Sequence, residues 1–145
     1  MKYFIIAGEA SGDLHGSNLI GGLREADPEA DVVCWGGDKM EKSGAKLLMH
    51  YRNTAFMGFS AIVMNIRSIF RNISLCKEQI KEYSPDLVIL IDYPGFNLRI
   101  AEYAKSLGLK VFYYISPKLW AWKESRVSKI KSYVNRVYFI NKQHN

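Results

Sequence analysis

The sequence predicts an α/β domain, a mainly parallel sheet with helices packed on both faces. Short runs of strand length, rich in β-branched and aromatic residues, recur six times and stay apolar instead of alternating, as strands covered on both faces do. Segments of helical period separate them, and strands alternating with helices give right-handed βαβ units. At 145 residues, with 48% hydrophobic and 23% charged residues, the chain suits one packed core, and no internal linker or repeat divides it.

The first strand spans Tyr3 to Ala7. A helix begins near Ser11 or Asp13, whose side chains can cap its free amides, buries Leu14, Leu19, Leu23 and Ala26, and stops at Asp27-Pro28. Strands follow at Asp31 to Trp35 and Lys46 to Met49. Ile62, Ile66, Ile69, Ile73, Cys76, Ile80 and Tyr83 form one stripe on an amphipathic helix, with Arg67, Arg71, Lys77, Lys81 and Glu82 on its other faces. Ser84-Pro85 ends it, because the residue before proline avoids helical angles. The strand Leu87 to Ile91 leads to a helix from about Phe96 to Ser106 that stops at Gly108, and further strands lie at Val111 to Ile115 and Arg136 to Ile140. Ligands of such sheets bind beyond the carboxyl ends of the strands. The loops Gly8 to Asp13, Gly36 to Met40, Asp92 to Asn97 and Ser116 to Trp122 should therefore share one functional edge.

Several classes are disfavoured. Cys34 and Cys76 show neither Cys-x-x-Cys nor Cys/His spacing, so a disulfide scaffold or zinc module is not expected and a reducing cytosol is. His15, His50 and His144 lack partners at metal-ligand spacing, and no metal or other cofactor is expected. The apolar start before Glu9 is short for a signal peptide, and the charge-free stretch from Asn53 to Ile66 is too short to span a bilayer. The net charge of +6 is concentrated beyond Lys105, which favours an anionic partner. Nucleic acid ranks low, since the basic stretch alternates with strand residues and contains no known RNA or DNA module.

Gly8-Glu9-Ala10-Ser11-Gly12-Asp13 suits either an anion-binding loop at a helix start or a tight capped turn. It matches neither the dinucleotide fingerprint, nor a Walker loop, nor a nucleophile elbow. Asp92 closes a buried strand, where a carboxylate is costly unless paired or used; it is a candidate general base or a brace for the next helix. Trp120 and Trp122, beside Lys118, Lys123 and Arg126, suit a sugar face and a phosphate, or else core packing. Phe56, Met57 and Phe59, with Ile62, Val63 and Met64 following, are very apolar for a loop-to-helix junction. Near Arg67 and Arg71 they suit a membrane surface or an acyl chain, with core packing as the alternative.

In order and spacing these segments resemble the lipid-A-disaccharide synthases, membrane-associated glycosyltransferases of GT-B fold. The resemblance rests on Ala7 through Asp13, Gly36-Gly37 with Met40 and Gly44, Met57-Gly58, Pro85-Asp86, Ile91 through Asn97, Tyr114 through Pro117, Trp120 through Trp122, and Arg126. The family's Asp-x-Pro-Asp-Phe-Asn loop often carries a second acid where this chain has Gly95, which leaves Asp92 as the only carboxylate in the loop. The resemblance implies that residues 1–145 form the N-terminal, Rossmann-like, acceptor-side domain. The nucleotide-sugar domain would lie outside the chain, which is then part of a longer protein or is completed by another chain.

The implied reaction transfers 2,3-diacylglucosamine from UDP to the 6-hydroxyl of 2,3-diacylglucosamine 1-phosphate with inversion, giving lipid A disaccharide 1-phosphate and UDP. It implies Asp92 as the catalytic base and Glu9, Ser11, Gly12, Met57, Gly58, Asn97, Ser116, Trp120 and Arg126 as substrate-binding, with no metal. The expected location is cytoplasmic, peripheral on the inner face of the bacterial inner membrane and against an anionic lipid surface. The competing readings are another GT-B protein such as a UDP-sugar epimerase, and a non-catalytic module binding acidic lipid or nucleotide.

Overall fold

The computed structural model describes residues 1–54, 66–116 and 124–140 of the chain. Among these, the strands are β1 (Lys2–Ala7), β2 (Asp31–Gly36), β3 (Lys46–His50), β4 (Leu87–Ile91), β5 (Lys110–Ile115) and β6 (Arg136–Phe139). They form one sheet in the order β3-β2-β1-β4-β5-β6, with every neighbouring pair parallel. The intervening helices are α1 (Ala10–Ala26), α2 (Asp38–Lys42), α3 (Ile66–Tyr83), α4 (Pro94–Ser106) and α5 (Glu124–Tyr133), with a 3-10 turn at Tyr51–Thr54. This is the doubly wound Rossmann order, whose direction reverses between β1 and β4 and leaves a crevice at their carboxyl ends.

Side chains alternate through the sheet into two cores. Phe4, Ile6, Val33, Trp35, Val88, Leu90, Val111, Tyr113 and Ile115 face Ile73, Cys76 and Ile80 of α3 and Phe96, Ile100, Ala101 and Ala104 of α4. Tyr3, Ile5, Ala7, Val32, Cys34, Ile89 and Ile91 face Ile20 of α1 and Met40 of α2. Burial pushes the Cys34 thiol up to about 12 and that of Cys76 well above its ordinary value, so both are packing groups. The expectation of uniformly buried strands holds in the centre of the sheet but not at its β6 edge, where Phe139 is 57% exposed.

The stripe read on α3 is the one that packs, although Ile66 at its start is exposed and Ile62 lies outside the described residues. Helix α4 ends as expected: Gly108 has φ +76, its N–H donates to Lys105 and that of Leu109 donates to Ala104, together the Schellman pairing. Helix α1 corrects the sequence reading twice. Its inward line is Gly12, Asp13, Gly16 and Ile20, with Leu19 and Leu23 half-buried, whereas Leu14 and Ala26 are exposed. Its N-cap is Glu9, whose side chain makes no capping bond; neither Ser11 nor Asp13 caps this helix.

The reason for the glycine line is close packing on Met40, which is fully buried. A Cβ at Gly16 would stand 2.6 Å from the Met40 sulfur, and one at Gly36 would also collide with that sulfur. Gly22, on the outer side of α1, has nothing within 4 Å. The two helical positions should therefore respond to alanine with opposite signs in urea denaturation. Gly22→Ala is expected to stabilise by about 0.5–1 kcal/mol through helix propensity, and Gly16→Ala to destabilise by about 1–3 kcal/mol through overpacking. Equal stabilisation by both would show that Met40 yields without cost.

Candidate active site at the carboxyl edge of the sheet

Four loops were expected to meet at this edge, and the described parts of all four do. Strand β1 is followed by Gly8, whose backbone passes under the Tyr93 ring; a Cβ there would sit 2.5 Å from Tyr93 Cδ1. Tyr93 stacks on Phe96 at 5.4 Å, Phe96 leans on Trp35 at 5.5 Å, and the Trp35 indole N–H donates to Gln79 Oε1 at 2.7 Å. A continuous aromatic column thus ties the loop after β4 to α3. Burial, assisted by the charge of Glu9, pushes the Tyr93 hydroxyl well up.

Asp92 and Tyr93 both adopt left-handed backbone angles, φ +45 and +54, uncommon for one non-glycine residue and more so for two in succession. Such a turn persists only where its surroundings over-determine it. The Asp92 N–H continues the ladder to the Tyr114 carbonyl at 2.9 Å. The Asp92 carbonyl accepts from the Tyr113 hydroxyl at 2.6 Å and from Asn97 Nδ2 at 3.0 Å, and Nδ2 also reaches the Ile91 carbonyl at 3.3 Å. The carboxylate oxygen Oδ1 accepts from the Ser116 N–H at 2.6 Å. Asp92 is only 2% exposed, so this charge-assisted bond forms in a poorly hydrated site where it is strong.

Tyr113 is fully buried beneath this turn. Burial pushes its hydroxyl well above the ordinary value and the Asp92 charge adds to the effect, while the Asn97 hydrogen bond and the Arg126 charge pull the other way. Arg126 is half-buried on α5, near enough to Tyr113 for its charge to act on that hydroxyl. Ser116 lies just past β5 and is 9% exposed. Asn97 is completely buried, and among the described residues its Oδ1 has no hydrogen-bond partner. Glu9 and Ser11 are exposed on the first turn above β1, while Gly12 is buried, a Cβ there lying 3.0 Å from the Ala7 Cβ. Met57, Gly58 and Trp120 lie outside the described residues.

The second buried carboxylate of the edge is Asp13, 4% exposed. Its Oδ1 accepts from the N–H groups of Gly37 and Met40, at 2.9 and 3.0 Å, and Oδ2 from that of Lys39, at 3.1 Å. Asp13 thus caps α2 from a different helix, satisfying three amides that a helix start leaves open. Sequence reasoning missed this and missed Tyr113: the partner of Asp13 lies 24 residues or more away, and nothing in the run of β5 marks which tyrosine turns toward Asp92. Among the described residues no group of three or more His, Cys, Asp or Glu could hold a metal, and no helix is long and apolar enough to cross a membrane. His50 instead pairs with Asp38 at 3.1 Å and accepts from the Arg52 N–H.

Removing the Asp13 acceptor strands three amides. In urea denaturation Asp13→Ala should cost about 2–3 kcal/mol. Asp13→Asn, whose one oxygen can still serve Gly37 and Met40, should cost less; equal stability of all three proteins would show that water replaces the cap.

The model of one family, described as lipid-A-disaccharide synthetase, matches residues 3–141. A lipid-A-disaccharide synthase of Coxiella burnetii (strain Dugway 5J108-111) is 41% identical over 133 residues, covering 92% of this chain and 35% of the relative. The synthases of Trichlorobacter lovleyi and Geobacter metallireducens are each 41% identical over 139 residues, covering 96% of this chain and 36% of theirs. The chain therefore spans about a third of the length of these relatives. Among solved structures, a UDP-GlcNAc 2-epimerase from Neisseria meningitidis bound to UDP-GlcNAc superposes with a TM-score of 0.63 at 12% identity, over 96% of this chain and 40% of that one, a likeness of fold. With a family match along nearly its whole length and a buried aspartate at the switch point of a Rossmann-like sheet, this chain belongs to the lipid-A-disaccharide synthetase family.

Proposed function

We propose that this chain is the acceptor-side half of a lipid-A-disaccharide synthase. The whole enzyme transfers 2,3-diacylglucosamine from UDP to the 6-hydroxyl of 2,3-diacylglucosamine 1-phosphate, with inversion at the anomeric carbon. The observation that carries the reading is Asp92, held by Ser116 at the carboxyl edge of the sheet, where β1 and β4 part, in a chain of this family.

In the proposed step the acceptor hydroxyl approaches from the crevice at the carboxyl edge of the sheet and gives its proton to the Asp92 carboxylate. Its oxygen forms the new bond to the anomeric carbon while the bond from that carbon to the UDP phosphate oxygen breaks, and UDP leaves with the electron pair. Charge on the leaving diphosphate is neutralised by cationic groups and helix amides, mostly in the nucleotide-sugar half. Asn97, Tyr113 and Gly12 act as positioning residues: the first two hold the Asp92 carbonyl, and Gly12 lets α1 lie against β1. Glu9, Ser11, Ser116 and Arg126 are assigned to the substrate, together with Met57, Gly58 and Trp120 from the motif.

The enzyme works on the cytoplasmic face of the inner membrane. Exposed Ile66 and Phe70 on α3, beside exposed Arg67 and Arg71, support a peripheral contact there, to which Met57, Phe59 and Val63 are assigned from the sequence alone. Sedimentation with anionic vesicles tests this contact. Arg67 and Arg71 changed together to Glu, and separately Phe59→Ser, should each reduce the bound fraction, and binding should weaken with salt. Binding equal to the parent by both variants would make the patch ordinary surface.

Asp92→Asn keeps an oxygen for the Ser116 amide but cannot accept the proton. In a full-length enzyme carrying this domain it should lower kcat by roughly 100-fold or more with an unchanged melting temperature. Near-normal turnover would reduce Asp92 to a brace of the β5 end. The 145-residue chain alone should show no transfer, because the reading places the donor site elsewhere.

A further inference from the structure

Along their outer sides α3 and α4 border a trough of about 410 Å³. Helix α3 contributes Phe70, Ile73, Ser74 and Lys77 to it. Helix α4 contributes Arg99, Glu102, Tyr103 and Ser106, so each helix presents the same i, i+3, i+4, i+7 stripe. Both helices cross between parallel strands and run in the same direction, which sets the two stripes side by side. Two cations reach over the trough in opposite senses. The Arg99 guanidinium of α4 lies 5.5 Å from the centre of the Phe70 ring, and Lys77 Nζ of α3 lies 5.4 Å from that of Tyr103. Phe70 and Lys77 are two helical turns apart, which separates the two cation–ring pairs by about 10 Å along the axis.

Neither cation has a carboxylate within ion-pair distance; among the described residues the only such contacts are Met1 with Asp27 and His50 with Asp38. Together α3 and α4 carry six cationic side chains against three carboxylates. A cation resting on a ring keeps its charge and has already lost side-chain freedom, so little further ordering is needed to meet an anion. The trough is too open for a small molecule: Ser74, Arg99, Glu102 and Ser106 are exposed, whereas small-molecule sites enclose most of their ligand. The Ser106 hydroxyl is already spent on the Tyr103 carbonyl at 2.6 Å. A straight slot between two helices suits a third helix laid along it and read by side chains one and two turns apart.

We propose that the α3–α4 trough docks an acidic helix of a partner protein, with one carboxylate at Arg99 and a second, two turns on, at Lys77. An apolar residue between them covers the Phe70 ring, 52% exposed, and the Ile73 side chain beneath. Glu102, on the rim between Arg99 and Tyr103, repels a third acid there and so fixes the spacing. The trough shares no residue with the Asp92 turn, and the proposal does not depend on the reading of the acceptor site.

The test is a set of amide-shift titrations of the isotopically labelled 145-residue chain at low salt, with two end-blocked, alanine-rich helical peptides of identical composition. One carries Glu at i and i+7 with Leu at i+4; the other exchanges the Leu and the second Glu. The first should move the amides of Ser74, Lys77, Glu102 and Tyr103, bind roughly threefold or more tightly than the second, and weaken as salt is added. Lys77→Glu with Arg99→Glu should lose roughly tenfold or more in affinity for it, and Lys77→Gln with Arg99→Gln should lose less, both melting like the parent. Lys46→Glu with Lys110→Glu changes the net charge equally at exposed sites outside the trough and should bind like the parent. Equal affinity for the two peptides, shifts outside the trough, or an equal loss in that control overturns the docking site and leaves only attraction by net charge. Parent-like peptide binding by the charge-reversed variant, with its binding to anionic vesicles lost, would assign the two cations to a membrane and overturn it as well. These titrations involve neither UDP nor turnover, so their outcome and that of the Asp92 variant are separate.

Discussion

Two carboxylates buried at the carboxyl edge of a parallel sheet, Asp13 and Asp92, impose the constraint on which this structure depends. A charge removed from water must recover its solvation from fixed dipoles. Each does so by gathering backbone N–H groups from a neighbouring loop: Asp13 takes three from the start of α2, and Asp92 takes that of Ser116 at the end of β5. These loops are far apart in sequence, so solvating the charges also fixes how the loops sit. The crevice is ordered because its anions would otherwise be stranded.

The packing beneath serves the same edge. Two left-handed residues in succession are held in place by the Tyr113 hydroxyl, the Asn97 amide and the ladder bond to Tyr114, all acting on the backbone of Asp92. The column from Gln79 through Trp35 and Phe96 holds the Tyr93 ring over Gly8, which must lack a side chain for the ring to lie there. On the other face Met40 fills the slot between Gly16 and Gly36 and holds α2 where Asp13 can cap it. Glycines in these loops are explained as much by close approach of side chains as by any ligand.

What could be read from sequence was what depends on local periodicity. The strand runs, the stripe of α3 and the stop of α4 at Gly108 follow from side-chain spacing and turn chemistry within a few residues. The convergence of four loops follows from topology, and the structure bears it out for their described parts. Features set by distant partners were not legible. Helix α2 is only five residues long and starts on a cap supplied by α1. The inward face of α1 carries glycines where its leucines were expected, because Met40 occupies the space. Tyr113 and Tyr114 are indistinguishable in the run of β5, and only the alternation of that strand turns the first beneath Asp92.

The proposed role of this carboxyl edge is to dock the acceptor sugar phosphate. Amide chemical shifts of the isotopically labelled chain, titrated with glucosamine 1-phosphate as a soluble piece of the acceptor, address it most directly. Docking at this edge should give shifts confined to the amides of Gly8, Glu9, Asp92, Tyr93 and Ser116, with those of Asp31 and Asp86 at the opposite edge unmoved. Shifts at the amino edge instead, or none in the crevice at saturating ligand, would contradict it.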